Sequence, residues 1–69
     1  MRSKPLKLSA RQKELLSYLA QGYEWSEISD VTGLAATTVR THLGAAYAKL
    51  GVDNRHDAVR RARELELID

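Results

Sequence analysis

The chain has no cysteine, no phenylalanine and a single proline, and its apolar runs are short. Without cysteine there is no disulfide framework and no thiolate metal site. His42 and His56 are the only histidines, which also excludes a zinc finger. No apolar stretch approaches the roughly 20 residues that span a bilayer, so no membrane partner is expected. Basic residues at the start (Arg2, Lys4, Lys7) have no apolar segment behind them, unlike a secretory leader. A cytoplasmic, reducing setting is therefore the expectation. No alternating pattern asks for a strand, and there is no internal repeat or low-complexity run. No base neighbours a nucleophile, and no glycine-rich loop follows a strand. Catalysis is the poorest fit, and no cofactor, metal or small-molecule ligand is expected.

With 69 residues, one domain is the ceiling. A domain of this size buries only about 60% of the surface its unfolded chain exposes, so its stability is modest. The net charge of +2 says little by itself. Placement says more: cations crowd the start and the last third, while Glu24, Glu27 and Asp30 gather between them.

Residues 1–7, around Pro5, read as a basic arm or linker, and residues 8–69 as an all-α domain of four helices. The first helix is expected to begin at Ser9, which forms a capping box with Gln12 while Leu8 staples the first turn. Leu15, Leu16 and Leu19 share its inner face, and Gly22 ends it. The second helix is expected over Trp25–Thr32, with Ile28 and Val31 inward, Trp25 covering the core and Gly33 as the stop. The third runs over Ala36–Leu50 to Gly51, with Val39, Leu43, Ala46, Tyr47 and Leu50 within about 80° of one another on the wheel. The fourth starts near Asp53 or Asn54 and turns Ala58, Ala62 and Leu65 inward, with Arg60 and Glu64 as an i,i+4 pair.

Two helices joined at a glycine between Gly22 and Gly51 form a helix-turn-helix pattern. Opposite its core stripe the third helix carries Thr37, Thr41, Gly44 and Ala48, with Arg40 on the shoulder. An ordinary solvated face would carry lysine and glutamate. Threonine offers a donor, an acceptor and a methyl group to a base edge, and arginine can grip a guanine with two bonds. Gly44 either permits a close backbone approach or is merely tolerated, at a cost of about 1 kcal/mol against alanine. No acid lies between Ala36 and Leu50, and an acid there would repel phosphate. Thr38 and Lys49 flank the face within reach of phosphate walls, although Lys49 reads equally as a solvated cation. The competing reading is a helical protein-interaction module whose Gly44–Ala48 face meets a partner helix.

Several segments resemble the LuxR-type, or GerE-type, DNA-binding domain. They are Leu8-Ser9-x-Arg11-Gln12, Leu15-Leu16-x-x-Leu19-Ala20-x-Gly22, Glu27-Ile28-Ser29, Thr38–Leu43, and Lys49-Leu50-Gly51-Val52 followed by Arg55 and Asp57–Val59. The resemblance covers about residues 8–67. Ala35–Thr38 and Tyr47-x-Lys49–Val52 look most like the large maltose-regulator type activators, which carry this domain at the end of a long ATP-binding protein. The family implies a winged-helix-like fold without the wing, with its third helix in the major groove. By position it implies base contacts from Thr37, Arg40, Thr41 and Gly44, and phosphate contacts from Thr38, Lys49 and Arg55. It further implies pairing of two domains through Ala58, Ala62 and Leu65 of the fourth helix. The expected partners are double-stranded DNA, a second copy of the chain and RNA polymerase. Departures from the family pattern are Ser29 for a tightly packed alanine, Ala35 for a serine cap, Glu24-Trp25-Ser26 for Ser-Asn-Lys, and Gly44 for a polar base reader.

Overall fold

The computed structural model describes residues 7–69; of the expected basic arm, all but Lys7 lies outside them. Four helices occur in order, α1 (Ala10–Ala20), α2 (Trp25–Thr32), α3 (Ala36–Leu50) and α4 (Arg55–Glu64), with no strand among the described residues.

Local chemistry fixes each boundary. Ser9 Oγ accepts the Gln12 N–H at 3.0 Å, and Gln12 Oε1 accepts the Ser9 N–H at 2.9 Å, which closes the expected capping box. At the start of α2 the Glu24 N–H donates to Glu27 Oε1 at 2.7 Å. Gly33 (φ 76°) and Gly51 (φ 73°) stop α2 and α3 in the left-handed region, where a Cβ is costly. Asn54 Oδ1 accepts the Asp57 N–H at 2.9 Å and so decides between the two candidate caps of α4. The Asn54 and Arg60 side chains both hydrogen-bond the Asp57 carboxylate and hold it below its ordinary range.

The core is one cluster. Leu8, Leu15, Leu16, Leu19, Ile28, Val39, Leu43, Ala46, Leu50, Ala58 and Ala62 are buried, so α3 is packed on α1, α2 and α4. Trp25 stands edge-on to Tyr47 at 5.9 Å and covers the core where α2 begins. Burial raises the Tyr47 phenol above its ordinary pKa.

Three expectations need correction. Val31 is 51% exposed and does not face inward. The two-turn helix α2 reaches the core through Ile28, its one fully buried residue, and through the partly buried Trp25 at its start. Leu65 is not an inward residue of α4: the helix ends at Glu64, and Leu65 is the C-cap, 40% exposed. The chain then turns through Glu66 at φ 58°, and Leu67 and Ile68 pack back on the core instead. Ala58 and Ala62 are fully buried within the domain, against α1 and α3. Their smallness serves close helix packing inside one chain, and their side chains cannot touch a second copy.

Candidate nucleic-acid interface

The turn that aims α3 is locked by side chains. Ser29 Oγ donates to the Leu34 carbonyl at 2.6 Å, across the bend from α2. Thr32 Oγ1 donates to the Ile28 carbonyl at 2.6 Å and accepts the Leu34 N–H at 3.3 Å. The hydroxyl that sets Ser29 apart from alanine therefore pins the connection between the two helices. Ala35 supplies no side-chain cap, and the first-turn residues Ala36 and Thr37 are exposed. The positive end of the α3 dipole is thus left without a side-chain acceptor.

With Val39, Leu43, Ala46 and Leu50 in the core, helical geometry puts Thr37, Arg40, Thr41, Gly44 and Ala48 outside, and all five are exposed. Every base-edge candidate therefore lies on one continuous outer face. A Cβ built at Gly44 meets nothing within 4 Å. Internal packing does not require that glycine. Thr41 Oγ1 donates to the Thr37 carbonyl at 2.9 Å. That bond spends the hydroxyl proton and leaves Thr41 to offer lone pairs and a methyl group.

The electrostatics favour an anion. Four ion pairs occur among the described residues: Arg11–Glu14, Arg55–Glu24, Arg60–Asp57 and Arg60–Glu64. None involves Arg40 or Lys49. The two strong cations of α3 stand on a helix without acids, free of any carboxylate that would neutralise them.

The flanking residues are more engaged than sequence suggests. Thr38 is half-buried at the edge of the face. The Lys49 ammonium donates to the Lys7 carbonyl at 2.8 Å and to Gln12 Oε1 at 3.3 Å, so it stands over the start of α1. Arg55 donates to Glu24 Oε2 at 3.1 Å and to the Leu19 carbonyl at 3.3 Å. Those bonds clamp the start of α4 to the end of α1 and to α2. Arg61 Nε donates to the Leu50 carbonyl at 3.3 Å and ties α4 to the end of α3. Sequence reasoning missed these supports because each spans elements distant in the chain. The only hint was an arginine or lysine close to a helix end.

A four-helix domain with a serine-pinned turn and an acid-free, exposed third helix finds its match among known proteins. The model of the bacterial regulatory proteins of the luxR family matches residues 6–62. The chain belongs to the luxR family. It is 38% identical over 60 residues to the transcriptional activator protein EsaR of Pantoea stewartii subsp. stewartii, covering 87% of this chain and 24% of that protein. It is 41% identical over 61 residues to the transcriptional activator protein YukR of Yersinia ruckeri, covering 88% of this chain and 27% of the relative. Among solved structures, the response regulator ChrA of a heme-sensing two-component system superposes with a TM-score of 0.87 at 40% identity. That likeness covers 99% of this chain and 33% of ChrA. The luxR-family chain thus spans about a quarter of the length of the curated relatives it matches. It is a DNA-binding domain of the kind found in transcription regulators. These relatives lend no support to the narrower maltose-regulator subtype.

Proposed function

We propose that this luxR-family domain binds double-stranded DNA sequence-specifically by laying α3 in the major groove. The observation that carries the reading is the outer face of α3: exposed, free of acids, small at its centre and bordered by cations without carboxylate partners. Arg40 grips a guanine edge, Thr37 and Thr41 meet neighbouring bases through oxygen or methyl, and Gly44 lets the backbone close on the stack. Thr38 and Lys49 meet phosphates and set the register. Arg55 meets phosphate only with donors left over from its clamp on Glu24 and Leu19, so its larger part is to hold α4 in place.

Pairing on DNA falls to the outer surface of α4, where His56, Val59, Arg60 and Arg63 line one shallow concavity. This surface replaces Ala58 and Ala62 in that role, with exposed Leu65 at its end. Two such domains on half-sites about one helical turn apart would follow the two-fold symmetry of a palindrome. The regulator acts in the cytoplasm, where its DNA lies, and RNA polymerase is the expected further partner. The likeness to maltose-regulator activators rests only on Ala35–Thr38 and Tyr47–Val52.

Fluorescence anisotropy with a mixed-sequence duplex at low and moderate salt tests the reading. Binding that weakens steeply with salt is expected. No binding at low salt would instead favour a protein-interaction module.

A further inference from the structure

Among the described residues, Gln12 is the one polar residue that is buried, 7% exposed. Its carboxamide oxygen serves two donors. One is the Ser9 N–H of the capping box at 2.9 Å, and the other is the Lys49 ammonium at 3.3 Å, across 37 positions of sequence. The Lys7 carbonyl takes a second Lys49 proton at 2.8 Å. An ammonium has three donors, so one is left to point outward. Both acceptors are neutral, and the full charge of Lys49 remains available to an anion.

We propose that Gln12 is a positioning residue for DNA binding: its buried carboxamide holds the Lys49 ammonium where a phosphate is met. The inference rests on the reading of Lys49 as a phosphate contact. A free lysine has much rotamer freedom to lose when it docks on a partner. Here that freedom is already reduced in the unbound domain, because the head group is fixed between two carbonyl oxygens. Gln12 thereby does a second task beside capping α1, since the oxygen that accepts the Ser9 N–H also accepts from the lysine of α3.

The test uses Gln12→Met, Lys49→Met and the double variant on a mixed-sequence duplex of about 20 base pairs. Ser9→Ala, which breaks the other half of the capping box without touching Lys49, is the control for lost helix capping. Gln12→Met should weaken binding roughly threefold to tenfold, the range set by ordering one flexible side chain. Ser9→Ala should leave binding unchanged. In the Lys49→Met background the Gln12→Met effect should vanish. Equal weakening with and without Lys49, or none, overturns the inference. Should Lys49→Met alone leave both affinity and salt slope unchanged, the phosphate reading fails first and the inference falls with it. A second readout needs no variant to fold: in the unbound protein, 13C relaxation should show the Lys49 Cε more ordered than that of exposed Lys13. Equal mobility would contradict the positioning role.

Discussion

Replacing Gly44 with alanine should move stability and DNA affinity in opposite directions. Gly44 sits inside α3 with no positive φ, exposed, and a Cβ there meets nothing within 4 Å. No packing cost therefore offsets the gain in helix propensity, which is about 0.8–1.0 kcal/mol for glycine to alanine in a helix interior. For a domain of this size, about 1 kcal/mol corresponds to a rise in Tm of roughly 4–8 °C. The same methyl group would stand in the centre of the face between Thr41 and Ala48. If that face closes on stacked bases, the methyl holds the backbone off, and affinity for a selected duplex should fall by about tenfold, or about 1.4 kcal/mol. Thermal denaturation followed by circular dichroism gives the first number, and anisotropy on the selected duplex gives the second. A lower Tm would refute the propensity argument. A higher Tm with unchanged affinity would refute the close approach and leave Gly44 as a merely tolerated residue.

Other variants probe the packing and the charges. Ala62→Leu should destabilise the isolated domain by about 1–3 kcal/mol in urea unfolding, because Ala62 is fully buried between helices; an unaffected midpoint would place it on the surface. Glu66→Gly should raise stability by about 1 kcal/mol, since Glu66 occupies a left-handed conformation (φ 58°) that costs any residue with a Cβ. A loss in the same assay would show that the Glu66 side chain contributes more than its backbone costs. Asp57 has a carboxyl held below its ordinary range by Asn54 and Arg60. Its folded value lies below its unfolded one, so its contribution is complete above the ordinary carboxylate range and is lost as pH falls through the lowered folded value. Asp57→Asn should accordingly flatten the acid limb of the stability–pH curve, and an unchanged limb would deny Asp57 that part.

Helix boundaries were largely legible in the sequence because punctuation at both ends is local. Ser9 with Gln12, Gly33, Gly51 and Asn54 each act within a few residues, and the ranges of α2 and α3 coincide with those expected. The buried stripe of α3 was legible for the same reason, as four of its five expected residues are buried and Tyr47 lies at the rim. What periodicity does not contain is the width of the groove a helix meets. Val31 has the right spacing for a second buried contact, but α2 meets the core through Ile28 and Trp25 and leaves Val31 51% exposed. Nor does it show where a chain folds back after a helix, which is why Leu67 and Ile68 take the place expected of Leu65. Ala58 and Ala62 were read as inward and are buried, but sequence does not say whether such a face also pairs two copies. Small residues suit both a tight internal contact and a tight dimer, and only the position of α1 decides for the first. At the interface, the residue types and their common face were readable from the wheel. The supports were not, because Lys49–Gln12, Arg55–Leu19 and Arg61–Leu50 join residues from different helices.

The most direct test of major-groove reading is Arg40→Ala, measured on a duplex selected from a random pool and on an unrelated duplex at the same salt. Arg40 is exposed at the shoulder of the face and has no carboxylate partner among the described ion pairs. Its loss should leave the fold intact, weaken the selected site by about 1–3 kcal/mol, relax the preference at one base and change the unrelated duplex far less. An equal loss on both duplexes would contradict base reading by α3.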